Sequence, residues 1–151
     1  MKTYSKTIQI RWADIDANNH LRHSSYYDFA VLVRMAFLNE YGVTTALLQE
    51  LKMGPILFRE EATFRREIRL EDEITVQVEL LKATEDFSRW SLRHQFVKSD
   101  GTHCAHLIID GAWMDLEKRK LCQPADIIKK AFEDFPRAEG FHFYTPEKKT
   151  T

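Results

Sequence analysis

The sequence predicts an α+β fold in which an antiparallel sheet of about five strands wraps around one long central helix. Three observations carry this. The chain opens on an alternating segment. A long apolar stretch follows at residues 26–41. Four further strand-like segments then succeed one another across short polar connections. A single apolar helix beside several half-apolar strands is buried most economically when the strands curl around it.

Taken in order, residues 3–12 alternate, with Tyr4, Ile8, Ile10 and Trp12 on one parity, as in a half-buried strand. Residues 14–23 are too polar and too rich in turn formers to continue it. Ser24 or Ser25 is placed to cap the next helix, over residues 26–41. That helix is apolar on nearly all sides, so burial on nearly all sides is expected. Gly42 stops it, and residues 44–52 form a second, short helix closed by Gly54-Pro55.

Strands are expected at residues 56–70, 73–84, 87–98 and 102–115. Residues 74, 76, 78 and 80 (Ile, Val, Val, Leu) show the clearest alternation. Their connections, Leu70-Glu71-Asp72, Glu85-Asp86 and Ser99-Asp100-Gly101, are turn-like, which predicts an antiparallel meander. A weaker helix starts at Pro124 and ends near Phe135. The expected organisation is one domain over residues 1–135 and a polar, loosely held tail over 136–151.

The chain has 151 residues, enough for one domain. Its 22 basic and 23 acidic side chains nearly cancel, which argues against broad electrostatic binding to nucleic acid. Arg65-Arg66 and Lys118-Arg119-Lys120 are local clusters able to hold a phosphate-bearing ligand or simply to face solvent. Cys104 and Cys122 fit no metal or redox spacing. The opening residues lack an apolar leader region, and no stretch approaches the ~18 apolar residues of a membrane span. The expectation is a cytoplasmic protein with no membrane or nucleic-acid partner.

The chemistry concentrates in residues 14–23. Asp14, Asp16, Asn18, Asn19, His20 and His23 fall together just before the long helix. The first N–H groups of a helix lack partners and attract negative charge. A carboxylate beside such donors suits a hydrolytic site, although from spacing alone Asp16 reads more readily as a turn or capping residue. Ser88 and Ser91 lack the strand-turn-helix context of a serine hydrolase. His94, His103, His106 and His142 show no metal spacing and read as structural or surface residues.

Asp14, Asp16, Asn18-Asn19, His20, His23 and Tyr26, set between strand and helix, resemble the entry loop of the hotdog-fold thioesterases. The closest likeness is to the 4-hydroxybenzoyl-CoA thioesterase-like group, which includes bacterial short-chain acyl-CoA thioesterases. Asp16, Asn18 and His20 also match the aspartate-x-asparagine-x-histidine motif of plant acyl-ACP thioesterases. The resemblance covers residues 4–121, with Glu71-Asp72-Glu73 at the usual acidic turn. The chain departs from many relatives at Val31, where they carry a helical glutamate, and at Arg22-His23, where the plant type has Asn-Asn. Arg34 keeps the basic residue that often follows.

The resemblance implies a hotdog fold and hydrolysis of an acyl-CoA or acyl-ACP thioester, with no metal or organic cofactor. It assigns Asp16 as general base or nucleophile and the backbone N–H of His23 as the oxyanion donor. Asn18 and His20 are supporting candidates that would orient the carboxylate, the water or the carbonyl, and Tyr26 would line the pocket. A homodimer or homotetramer is implied, because a lone hotdog exposes a sheet edge and an apolar face. Two other readings stay open: a hotdog dehydratase or hydratase using a histidine with a carboxylate, and a non-catalytic acyl-thioester binding module.

Overall fold

The computed structural model describes residues 2–147. Strand β1 (Ser5–Ile8) leads through a 3-10 turn at Trp12–Asp14 into helix α1 (His23–Glu40) and the short α2 (Thr45–Leu51). Then come β2 (Met53–Phe64), β3 (Ile74–Ala83), β4 (Arg89–Lys98), β5 (His103–Asp115), β6 (Lys120–Leu121), α3 (Asp126–Glu133) and β7 (Arg137–Phe143). The main sheet runs β1-β3-β4-β5-β2, every pairing antiparallel, with β6 on β5 and β7 parallel on β3.

The core lies between α1 and the concave face of this sheet. Ala30 and Val33 of α1 meet Val76, Leu80, Phe96, Leu107 and Ile109, all fully or almost fully buried. Alternation in β3 places every second residue on that face, as the period of two requires.

Four expectations are corrected. The meander holds for β3-β4-β5 only, because β2 crosses to the far edge and pairs with β5. The crossing segment 65–73 is anchored by Ile68, which is fully buried and whose carbonyl accepts the Leu21 N–H at 2.7 Å. Gly54-Pro55 does not close α2; both belong to β2, where an edge position tolerates a residue without an N–H. The helix is not buried all round: Val31 and Leu32 are exposed on its outer side. Finally, residues 137–143 are not a loose tail but strand β7, held by Leu80 N–H donating to the Pro136 carbonyl at 2.7 Å and Tyr144 N–H to Ala83 at 3.0 Å. Its burial pattern hides little apolar surface, so no alternation marked it.

Gly111 of β5 sits beneath the Trp90 ring. A Cβ there would come within 2.4 Å of Trp90 Cη2 and 2.7 Å of the Ile56 carbonyl oxygen. The ring is locked in the core and the carbonyl is backbone, so neither gives cheaply. Gly111→Ala is expected to cost about 1–3 kcal/mol through overpacking. A urea midpoint within experimental error of wild type would overturn this account.

Arg34 and His94 form a buried pair across the core. Arg34 Nη1 lies 3.3 Å from His94 Nε2, and His94 Nδ1 lies 3.1 Å from the Gln77 carbonyl. The carbonyl can only accept, so Nδ1 carries the proton and Nε2 accepts from Arg34. Burial first, and the Arg34 charge second, push the His94 pKa down to about 3. Unfolded histidine titrates near 6.5. Between these values the unfolded chain binds a proton that the folded chain refuses. Stability from this group is therefore complete above pH ~6.5 and is lost as pH falls towards 3. The urea midpoint should drop between pH 7 and pH 5, and drop less in His94→Gln. Equal drops in both proteins would remove His94 as the cause.

Candidate active site

The loop between β1 and α1 is built around its two aspartates. Asp14 is buried and takes the Arg11 backbone N–H at 3.0 Å and its guanidinium at 3.0 and 3.2 Å. These bonds from Arg11 hold its carboxyl below the usual range. Its backbone carbonyl accepts from Arg22 N–H at 2.7 Å, and Ile15 bridges Leu21. Asp14 thus pins the two ends of the loop together.

Asp16 stands at the neck of the pinched loop. Its N–H donates to the His20 carbonyl at 2.8 Å, and its carbonyl accepts from Asn19 at 3.1 Å. Its Oδ1 accepts from the N–H groups of Asn18 at 2.9 Å and His20 at 3.1 Å. Asn19 takes the left-handed turn, φ 62°. One carboxylate oxygen is therefore used to hold the loop. Among the described residues nothing donates to the other, Oδ2, and the side chain is exposed.

Helix α1 begins at His23 with Arg22 as its cap residue and no capping side chain. The expected serine caps do not form. Arg22 Nε donates to Ser24 Oγ at 2.8 Å, and its Nη2 donates to Ser25 Oγ at 3.3 Å. Ser25 N–H bonds the Arg22 carbonyl. Among the described residues, the N–H groups of His23 and Ser24 have no acceptor. An uncapped helix start offers such donors to an anion.

Asp16, His20, His23 and Tyr26 share one groove of roughly 340 Å3 with Phe64, Arg65, Arg66 and Glu67. Tyr26 is buried, edge-on to Phe64 with centroids 5.0 Å apart. Burial above all, then Cys104 and Asp16, push its hydroxyl up to about 12, so it stays protonated and forms wall. Asn18 does not line the groove; its backbone, not its side chain, supports Asp16.

Sequence reasoning missed Glu67. Its Oε2 lies 2.6 Å from His20 Nε2, and it also takes Arg69 at 2.8 Å. The bond from Arg69 holds its carboxyl below the usual range. The Arg65-Arg66 pair was visible as a charge cluster, but only the β2 crossover brings it to the rim, beside a second opening lined by Thr102 and His103.

A separate apolar cavity of roughly 210 Å3 lies further along α1. Leu38, Leu57, Leu92, Trp113 and Phe132 line it, with Arg34 as its one charged side chain. Of the aromatics on and beside these elements, Tyr26 and Phe29 are buried, Tyr27 is partly so, and Trp12 and Phe58 are exposed.

A curled antiparallel sheet around one long helix, with a polar loop at the helix start, defines a hotdog-fold protein. The chain belongs to the thioesterase-like superfamily, whose family model matches residues 10–132. Solved structures agree in fold. A Staphylococcus aureus hypothetical protein in complex with CoA is 20% identical, with a TM-score of 0.80 over 91% of this chain and 89% of that one. A 1,4-dihydroxy-2-naphthoyl-CoA thioesterase from Synechocystis is 13% identical, with a TM-score of 0.80 over 88% of this chain and 97% of that one. A putative oleoyl thioesterase from Lactobacillus plantarum is 15% identical, with a TM-score of 0.82 over 99% of this chain and 55% of that one. A comparison with the curated proteins yields no match. Among the described residues, no helix is long and apolar enough to cross a membrane.

Proposed function

We propose that this protein hydrolyses an acyl thioester, with CoA as the carrier. One observation carries the reading. A carboxylate oxygen of Asp16 that has no partner among the described residues shares a groove with the uncapped N-terminus of α1. Asp16 takes a proton from water as the water oxygen attacks the thioester carbonyl. The carbonyl oxygen becomes an oxyanion beside the His23 N–H, where one such donor typically stabilises the transition state by about 3–4 kcal/mol. Collapse breaks the C–S bond and releases the acid and CoA thiolate, which recovers the proton. Direct attack by Asp16 would instead form a mixed anhydride that water then opens.

Arg65 and Arg66 at the rim suit the CoA phosphates, and the apolar cavity along α1 suits the acyl chain. The CoA bound to the S. aureus structure supports this choice of carrier. Strand β2 is a sheet edge carrying exposed Leu57, Phe58 and Phe64. With Val31 and Leu32 it makes an apolar surface that a homodimer or homotetramer would cover. Such chemistry on a soluble carrier fits a cytoplasmic location.

A second reading rests on the His20–Glu67 pair, which is the histidine and carboxylate a hotdog dehydratase or hydratase would need. The test is free-thiol release from a panel of acyl-CoAs, with the products identified by mass spectrometry. Thiol and free acid support hydrolysis. A change of one water in the acyl group with the thioester intact supports the second reading. Binding of acyl-CoA without turnover points to a binding module.

A further inference from the structure

The apolar cavity along α1 has a chemical imbalance: its side chains offer donors and no oxygen acceptor. Arg34, 8% exposed, is the charged group in its wall. Its hydrogen bond is to His94 Nε2 at 3.3 Å. The Glu60 carboxylate stands 3.9 Å from Nη2, beyond hydrogen-bond range. A guanidinium has five N–H donors, and among the described residues the others have no partner. The wall also contains the rings of Trp90 and Trp113; among the described residues their indole N–H groups have no acceptor, but they are buried away from the cavity space. A chamber meant only for a hydrocarbon tail would not need a mostly buried cation whose one ion-pair partner, Glu60, stands as far off as 3.9 Å.

The position of Arg34 relative to the groove gives a length. His23 and Arg34 are 11 positions, about three turns, apart on one face of α1, which is about 16 Å of helix rise. Strand β2 bounds both sites, with Phe64 at the groove and Leu57 at the cavity. The groove and the cavity share no lining residue, so a ligand with its thioester at Asp16 and its far end at Arg34 would have to open a passage between this helix and this strand. At the ~3.4 Å per three bonds of an extended chain, that distance is on the order of ten to fourteen single bonds, allowing for the reach of Arg34.

We infer that the cavity selects an acyl chain of about a dozen carbons ending in a carboxylate, with Arg34 as the residue that recognises the far end. This rests on the thioesterase reading. The ligand carboxylate supplies the hydrogen-bonded counter-ion that Glu60, at 3.9 Å, does not, and His94, held neutral, keeps the guanidinium plane in position from behind.

The test compares the CoA monothioester of dodecanedioic acid with dodecanoyl-CoA. Wild type should show a kcat/KM for the dicarboxylic thioester at least about tenfold higher, the range of one charge-assisted hydrogen bond. Arg34→Met should bring the ratio near one, and Arg34→Lys should keep part of it. The same two thioesters are titrated against Asp16→Asn by tryptophan fluorescence, since Trp90 and Trp113 lie in the wall. Tighter binding of the dicarboxylic thioester supports the inference without turnover. If both thioesters are hydrolysed with equal or reversed preference, the inference falls and the thioesterase reading stands. If neither is hydrolysed but the dicarboxylic one binds more tightly, the thioesterase reading falls and the Arg34 site survives as a ligand site. Equal binding and an unchanged ratio in a folded Arg34→Met protein overturn the inference.

Discussion

Asp16→Asn should lower kcat/KM for acyl-CoA hydrolysis about 100-fold or more while leaving the protein folded. Asparagine keeps the shape of aspartate, and its carbonyl oxygen can still accept from the N–H groups of Asn18 and His20, the bonds that hold the loop. The amide cannot take a proton from water and is a poor nucleophile, so both versions of the chemistry fail together. The size follows from the 100- to 10,000-fold range for a positioned acid or base. A loss confined to kcat/KM through KM alone would mean that Asp16 binds substrate rather than acting on it. Activity within threefold of wild type would end its catalytic assignment. Thermal unfolding of both proteins separates this result from a collapsed loop.

Phe132→Ala should destabilise the fold by about 3–5 kcal/mol, the cost of emptying a large aromatic site in a packed core. Phe132 is 1% exposed. Its ring stands 5.3–5.9 Å, centre to centre, from Phe87, Trp90, Trp113 and Phe135. With Ile128 and Ala131 it forms the buried face of α3. Four neighbouring aromatic rings cannot collapse into the space it leaves. The new void would also join the cavity that Phe132 lines. Typical domains are stable by only 5–15 kcal/mol, so much of the total would go. Urea unfolding measures the change, and a loss below about 1.5 kcal/mol would show that α3 packs more loosely than its burial implies.

The candidate site was partly readable. Asp16 and His23 stand seven residues apart in one loop, so turn chemistry and a helix start brought them together locally. Glu67 and Phe64 reach the same groove only because β2 crosses to the far edge of the sheet, a long-range event with no local signal. The serine caps were misread for a related reason. Ser24 and Ser25 have the right chemistry, but Arg22 occupies their oxygens and leaves the helix N–H groups open. Arg34 was legible only as the basic residue that relatives often keep; its pairing with His94 depends on how α1 lies against β4.

By itself the sequence determined the α+β class, the long central helix, the period-two strands and the polar loop at the start of that helix. Each rests on hydrophobic periodicity or turn chemistry within a few residues. The tertiary structure alone decided that β2 lies beside β5 and not β3. It also joined β7 to β3, set Glu67 against His20, and left Arg34 in an apolar chamber. Those depend on which distant surfaces bury one another, and the free energy of that burial belongs to no single segment.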